Sequence, residues 1–153
     1  MLEQAPYDDI IPFLSEHVQP SDQILFVGAS TDLALRLSLD NYGAKATGFM
    51  VVVDSDVTKV DAMLAQISTS PDLQKRVKSG KLTVETVPDL GEMGHICKQS
   101  NFDAIIDFGG LDTVLDESAR ALRCIDHLQN AVRLGNILVS ISKKEKETYD
   151  SVF

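Results

Sequence analysis

Four short stretches of this 153-residue chain set glycines or carboxylates directly behind runs of apolar residues. Gln23-Ile24-Leu25-Phe26-Val27 runs into Gly28-Ala29-Ser30-Thr31-Asp32, and a second run closes in Asp54-Ser55-Asp56. Pro88-Asp89-Leu90-Gly91 follows a third, and Phe102 to Phe108, with Asp107 just before its end, leads into Gly109-Gly110-Leu111-Asp112. Gly28 lets the backbone turn tightly and approach a ligand. A carboxylate such as Asp54 suits a ribose diol because it accepts two hydrogen bonds. Asp107, ending an apolar run, is costly to bury without a partner, which favours a ligand or a backbone amide beside it. Each residue also has a plainer reading. Gly28 serves equally to turn a strand into a helix, Asp54-Ser55-Asp56 to cap a helix, Asp89 to make a turn, and Asp112 or Asp116 to start a helix favoured by its dipole.

Neither a Walker lysine nor a GxGxxG pattern follows the first run, since Ser30 stands where the second glycine would be. A ribose-bearing ligand without a pyrophosphate is therefore easier to accommodate than a dinucleotide. No His/Cys cluster has metal-ligand spacing, and no metal is expected.

The elements that must position these residues alternate in type. Asp9 to Val18 reads as a short helix, with Pro12 tolerable only in its first turn. Gln23 to Val27 is an apolar run without alternation, expected of a parallel strand buried on both faces. A helix carrying Leu33, Ala34 and Leu37 follows, up to Asn41-Tyr42-Gly43. Lys45 to Val53 is expected to be the second strand, and Val57, Val60, Met63, Leu64 and Ile67 give a helical stripe. Ser70-Pro71-Asp72 opens another helix with proline at its first position, and Gly80 closes it. Lys81 to Val87 alternates as a strand near the sheet edge does. Met93, Ile96 and Cys97 suggest a helix before the strand Phe102 to Phe108. Asp116 to Leu134 reads as a long helix with Ala119, Leu122, Ile125, Leu128 and Val132 inward, and Asn136 to Ile141 as the fifth strand. Parallel strands need crossovers, and those are right-handed, so the expected fold is α/β: a Rossmann-like, doubly wound, mainly parallel sheet of about five strands with helices on both faces. Ligands of such sheets bind outside the carboxyl ends of the strands, where the strand order reverses, and the four stretches above lie there.

Composition bounds the class. The length fits a single domain over residues 1–153, and the 44% apolar and 24% charged fractions are those of a globular protein. No apolar run approaches the roughly 18 residues needed to span a bilayer, and the acidic start lacks a signal peptide's positive region, so a cytoplasmic protein that does not engage membranes is expected. A net charge of −9 disfavours phosphate backbones. Nucleic acid is not expected as a partner. Cys97 and Cys124, without CxxC spacing, read as buried reduced thiols.

Three stretches resemble the class I S-adenosylmethionine-dependent methyltransferases, and more narrowly the elongation-factor lysine methyltransferase branch. Ile24 to Ala34 is similar to that branch's first motif, a strand followed by Gly-Cys-Gly-Asn/Thr-Ser and a helix. Phe102-Asp103-Ala104-Ile105-Ile106-Asp107-Phe108-Gly109-Gly110-Leu111-Asp112 resembles its fourth-strand pattern, a Tyr/Phe-Asp start running into Asp-Lys-Gly-Thr-Leu-Asp. Leu134-Gly135-Asn136-Ile137-Leu138-Val139-Ser140-Ile141 resembles its fifth strand, entered through Leu-Gly-Gly. The resemblance spans roughly Ile10 to Ser142 and implies S-adenosylmethionine as cofactor. By position, Gly28, Ala29 and Ser30 would embrace its methionine moiety and Asp54 its ribose. Asp89 with Leu90 would meet the adenine, and Asp107 would face the transferred methyl. No catalytic residue is assigned.

The chain departs from that pattern in several places. Ser30 replaces a glycine and Phe108 replaces the family's lysine. Asp54 lies further beyond Gly28 than the roughly 20 residues usual in related folds. Either the strand carries a short insertion and Asp54 serves, or Met50 occupies the acid's position and the ribose acid is absent. Only Lys143 to Phe153 follow the fifth strand, where the family builds an antiparallel hairpin, so the domain is expected to lack it and to leave an exposed sheet edge. Two expectations stand together. One is a methyltransferase whose acidic surface receives a protein lysine. The other is a catalytically inactive methyltransferase-like interaction module, dimeric through that edge.

Overall fold

The computed structural model describes residues 7–29, 32–99, 102–109, 112 and 118–141. Five strands form one sheet in the order β3-β2-β1-β4-β5, comprising β1 (Gln23–Val27), β2 (Phe49–Asp54), β3 (Leu82–Thr86), β4 (Phe102–Phe108) and β5 (Val132–Ile141). All four pairings are parallel. The helices among the described residues are α1 (Tyr7–His17), α2 (Leu33–Leu39), α3 (Val57–Ser68), α4 (Pro71–Lys78), α5 (Gly94–Gln99) and α6 (Ser118–Ala131), with a 3-10 turn at Leu90–Glu92.

Strand β1 is apolar throughout because both its faces are covered. Ile24 and Phe26 join the cluster formed with α1, α2 and α3, including Leu14, Leu33, Leu37, Val60 and Met63. Leu25 and Val27 join the opposite cluster, with Leu90, Met93, Phe102, Cys124 and Leu128. This is the doubly covered environment that selects continuous apolar strands. Strand β3, at one edge, keeps Leu82 buried and exposes Thr83, as its alternation implied, whereas Thr86, expected on the Leu82 face, is exposed at the end of the strand.

Strands β1 and β4 and helix α4 lie where the sequence places them, α4 with Ser70 capping the amide of Leu73 and Pro71 at its first position. Elsewhere the structure corrects the reading. The second strand starts at Phe49, not Lys45, because Asn41 to Gly48 forms a chain of turns. Gly43 has φ +67°, and a Cβ there would meet the Phe49 carbonyl oxygen at 2.9 Å, so the entry to β2 excludes a side chain. Ala46 also takes a left-handed φ of +48°. Lys81 Nζ holds the loop by donating to the carbonyls of Ala46, at 2.6 Å, and Gly48, at 2.8 Å. Pro12 falls inside α1 rather than in its first turn, because the helix starts at Tyr7.

Helix α6 buries Ile125 and Leu128 as expected, but the rest of its inward stripe differs. Ala121, Cys124, Ile125 and Leu128 are buried, whereas Ala119 is exposed and Leu122 is 58% exposed. The buried set has the i, i+3, i+4, i+7 spacing and meets the 3-10 turn and α5. The helix ends at Ala131, so Val132 begins β5, which starts four residues before Asn136; between Phe102 and Ala104 the β4–β5 register slips by a bulge-like irregularity. Cys124 is a buried free thiol; the side chain of Cys97 lies outside the described residues. Among the described residues, no helix is long and apolar enough to cross a membrane.

Candidate functional site

The strand order runs outward from β1 through β2 to β3, then returns to β4 on the other side of β1. The switch point thus lies between β1 and β4, and the crevice where open α/β sheets bind ligands is at their carboxyl ends. Both strands finish in a glycine with left-handed φ: Gly28 at +108° and Gly109 at +79°. At Gly28 a side chain would be strained, and the backbone continues the ladder by donating its amide to the Val53 carbonyl at 2.8 Å.

Register brings the expected carboxylates to this end. Val27 pairs with Val53 on one side and with Asp107 on the other, while Asp54 pairs with Thr86. Asp54 therefore lies beside the Gly28 turn, and it is 4% exposed. Met50, the competing position for a strand-two acid, is wholly buried in the core four residues earlier. The loop before Phe49 accounts for the extra separation between Gly28 and Asp54. Among the described residues the acid at the end of β2 is Asp54.

The Asp54 carboxylate bridges two turns. Its Oδ2 accepts from the amide of Ala29 at 2.8 Å, and its Oδ1 from the amide of Asp56 at 3.0 Å. The helix-capping role anticipated for this stretch belongs to Asp56, whose carboxylate accepts from the amides of Thr58 and Lys59 at the start of α3. Asp54 instead couples the first loop to the second strand. Charge-assisted bonds of this kind are stronger than neutral ones, and each carboxylate oxygen keeps a second lone pair.

Asp107 is fully buried at the end of β4, as the sequence implied. Asp89 lies in the loop after β3, where its carbonyl accepts from the Glu92 amide at 2.8 Å. Leu90 is wholly buried, packed into the cluster with Val87 and Met93, so its side chain is core. Ser30 lies outside the described residues. Ala29 is 6% exposed and packs into the opposite cluster. Helix α2 opens at Leu33, and Asp32 at its N-cap makes no side-chain capping bond. The Ala29–Asp54 bridge was missed in the sequence because its donor is a backbone amide, which carries no residue signature. Among the described residues, no three His, Cys, Asp or Glu side chains converge to hold a metal ion.

No protein-family model and no curated protein sequence matches the chain. Solved structures do. The glycopeptide N-methyltransferase MtfA complexed with S-adenosyl-L-homocysteine superposes with a TM-score of 0.65 at 11% identity, over 90% of this chain and 52% of that one. The fold is that of a methyltransferase. An rRNA methylase from Streptococcus thermophilus matches over 99% of this chain and 80% of its own, with a TM-score of 0.59 and 15% identity. The cyclase SpnF matches over 91% of this chain and 47% of its own, with a TM-score of 0.61 and 19% identity. The chain spans about half the length of MtfA and of SpnF. At these identities the likeness is one of fold, and function has to be argued from the site.

Proposed function

We propose that this chain binds S-adenosylmethionine at the carboxyl ends of β1 and β2 and transfers its methyl group to an acceptor. The observation that carries the reading is the Asp54 bridge: a buried carboxylate beside a glycine turn at the topological switch point, tied by backbone amides yet retaining lone pairs for a diol. Gly28, Ala29 and Ser30 would hold the methionine moiety, Asp54 the ribose and the Asp89–Leu90 loop the adenine, with Asp107 toward the methyl. When bound, the cofactor supplies an electrophilic methyl on a sulfonium, so the protein needs no nucleophile of its own. Its task is alignment, and well-oriented reactants gain most of their acceleration that way. The solved structures of this fold include a glycopeptide methyltransferase and an rRNA methylase, so the acceptor does not follow from the architecture. A net charge of −9 favours a cationic one, and a protein lysine of the kind modified by the elongation-factor branch fits that charge.

The same bridge supports a second reading. With both Asp54 oxygens already accepting backbone amides, the loop is held without any ligand, as a catalytically inactive interaction module would require. In that case β5, at the sheet edge among the described residues, would pair with a second copy to make a homodimer.

Calorimetric titration with S-adenosylhomocysteine separates the two. Saturable binding is expected, weakened by about 1–3 kcal/mol in Asp54→Asn, which keeps an acceptor for the Ala29 amide but loses the charge-assisted bonds. A folded sample that takes up neither this compound nor S-adenosylmethionine at millimolar concentration excludes the first reading.

A further inference from the structure

At the opposite end of the sheet, away from the Gly28 turn, helices α2 and α4 enclose a groove of about 310 Å³ lined by Leu39, Asp72, Lys75, Arg76 and Ser79. Its α4 wall follows from sequence spacing: Asp72, Lys75, Arg76 and Ser79 recur at i, i+3, i+4 and i+7, one face of that helix and its cap. Leu73 lies off this face and is buried, so α4 is anchored by one stripe and presents the other.

Two features distinguish the groove from an ordinary solvated surface. Its charge opposes that of the molecule: its lining carries the cations Lys75 and Arg76 against the single carboxylate of Asp72, in a chain whose net charge is −9. It is also amphipathic and partly fixed. Leu39 is 43% exposed at its α2 side. Arg76 is half-buried and donates to Asn41 Oδ1 at 2.8 Å, which holds the guanidinium against the turn that follows α2. Asn41 itself has a left-handed φ of +73° within that turn.

We propose that this groove docks an acidic protein segment, seating one apolar side chain on Leu39 and its flanking carboxylates against Lys75 and Arg76. Charge complementarity identifies the occupant. Beyond a Debye length of about 8 Å the local cations are screened, so they select a short ligand in contact rather than a long polymer from afar. The apolar contact at Leu39 separates a peptide from a phosphate backbone, which is anionic as well but offers no aliphatic side chain to seat there. Because the groove lies at the amino ends of the strands, an occupant leaves the crevice at Gly28 and Asp54 open. The site thus stands independently of what that crevice binds.

The test uses the whole chain and a fluorescein-labelled dodecapeptide of repeating Glu-Glu-Leu, read by anisotropy. Saturable binding is expected, weakened about tenfold by Lys75→Glu, a reversal at an exposed side chain with no part in the core. Leu39→Asp should weaken it comparably, and Arg123→Glu, an equal charge change on exposed α6, should not. Absence of saturable binding, or the same loss in Arg123→Glu as in Lys75→Glu, would overturn the proposal. Tighter binding of an oligouridylate, with the same dependence on Lys75, would overturn it in favour of a phosphate polymer.

Discussion

Asp54 makes the closest link in this protein between a residue type and its position. Its carboxylate satisfies the buried Ala29 amide and the Asp56 amide, so truncation leaves donors without partners near the sheet interior. Urea unfolding should show Asp54→Ala destabilised by about 2–4 kcal/mol and Asp54→Asn by roughly half that, since an amide oxygen still accepts one bond. Equal stability of all three proteins would show that the bridge contributes nothing. Ala46 offers the opposite sign. A left-handed φ of +48° costs an L-residue about 1–2 kcal/mol, part of which Ala46→Gly recovers against glycine's extra freedom in the unfolded chain. A net gain of about 0.5 kcal/mol in unfolding free energy is expected. At this scale Asp54 was legible as a site candidate because an acid closing an apolar run is conspicuous. Its partners were not, since any residue can supply a backbone amide.

Strands were read from sequence more securely than one helix face. Gln23–Val27 and Phe102–Phe108 are apolar except for Gln23 at the start of one and Asp103 and Asp107 next to the ends of the other, so their limits were plain. Helix α6 carries two competing stripes, Ala119 with Leu122 and Ala121 with Cys124. Which one turns inward depends on the 3-10 turn and α5 packed against it, both remote in sequence. Thermal denaturation distinguishes them: Leu122→Glu, on a side chain 58% exposed, should change stability by less than about 0.5 kcal/mol, while Ala121→Glu at a fully buried position should cost about 3 kcal/mol or more. The start of β2 was misplaced for a related reason. Lys45 to Val53 has strand-like composition throughout, but the turns at Gly43 and Ala46 consume its first residues, and a left-handed alanine leaves no mark in a sequence.

For the whole molecule, the order β3-β2-β1-β4-β5 is what makes the residue-scale observations converge, because it sets Gly28, Asp54, Asp107 and Gly109 at one end of the sheet and the α2–α4 groove at the other. A ligand that binds only the folded state should raise stability by about 2.7 kcal/mol at one hundred times its dissociation constant. For a chain of this size that corresponds to a rise in Tm of roughly 5–10 °C with S-adenosylhomocysteine, checked by scanning calorimetry. The fold was readable because alternating buried strands and helices allow few topologies; the acceptor was not, because neither charge nor periodicity encodes it. The most direct test of a cofactor crevice at the switch point is an amide-resolved NMR titration of the folded chain with S-adenosylhomocysteine. Saturable shifts at Gly28, Ala29 and Ser55, with Lys75 to Lys78 unchanged, are predicted; no shifts at millimolar ligand, or shifts confined to residues away from the carboxyl ends of β1 and β2, would contradict it.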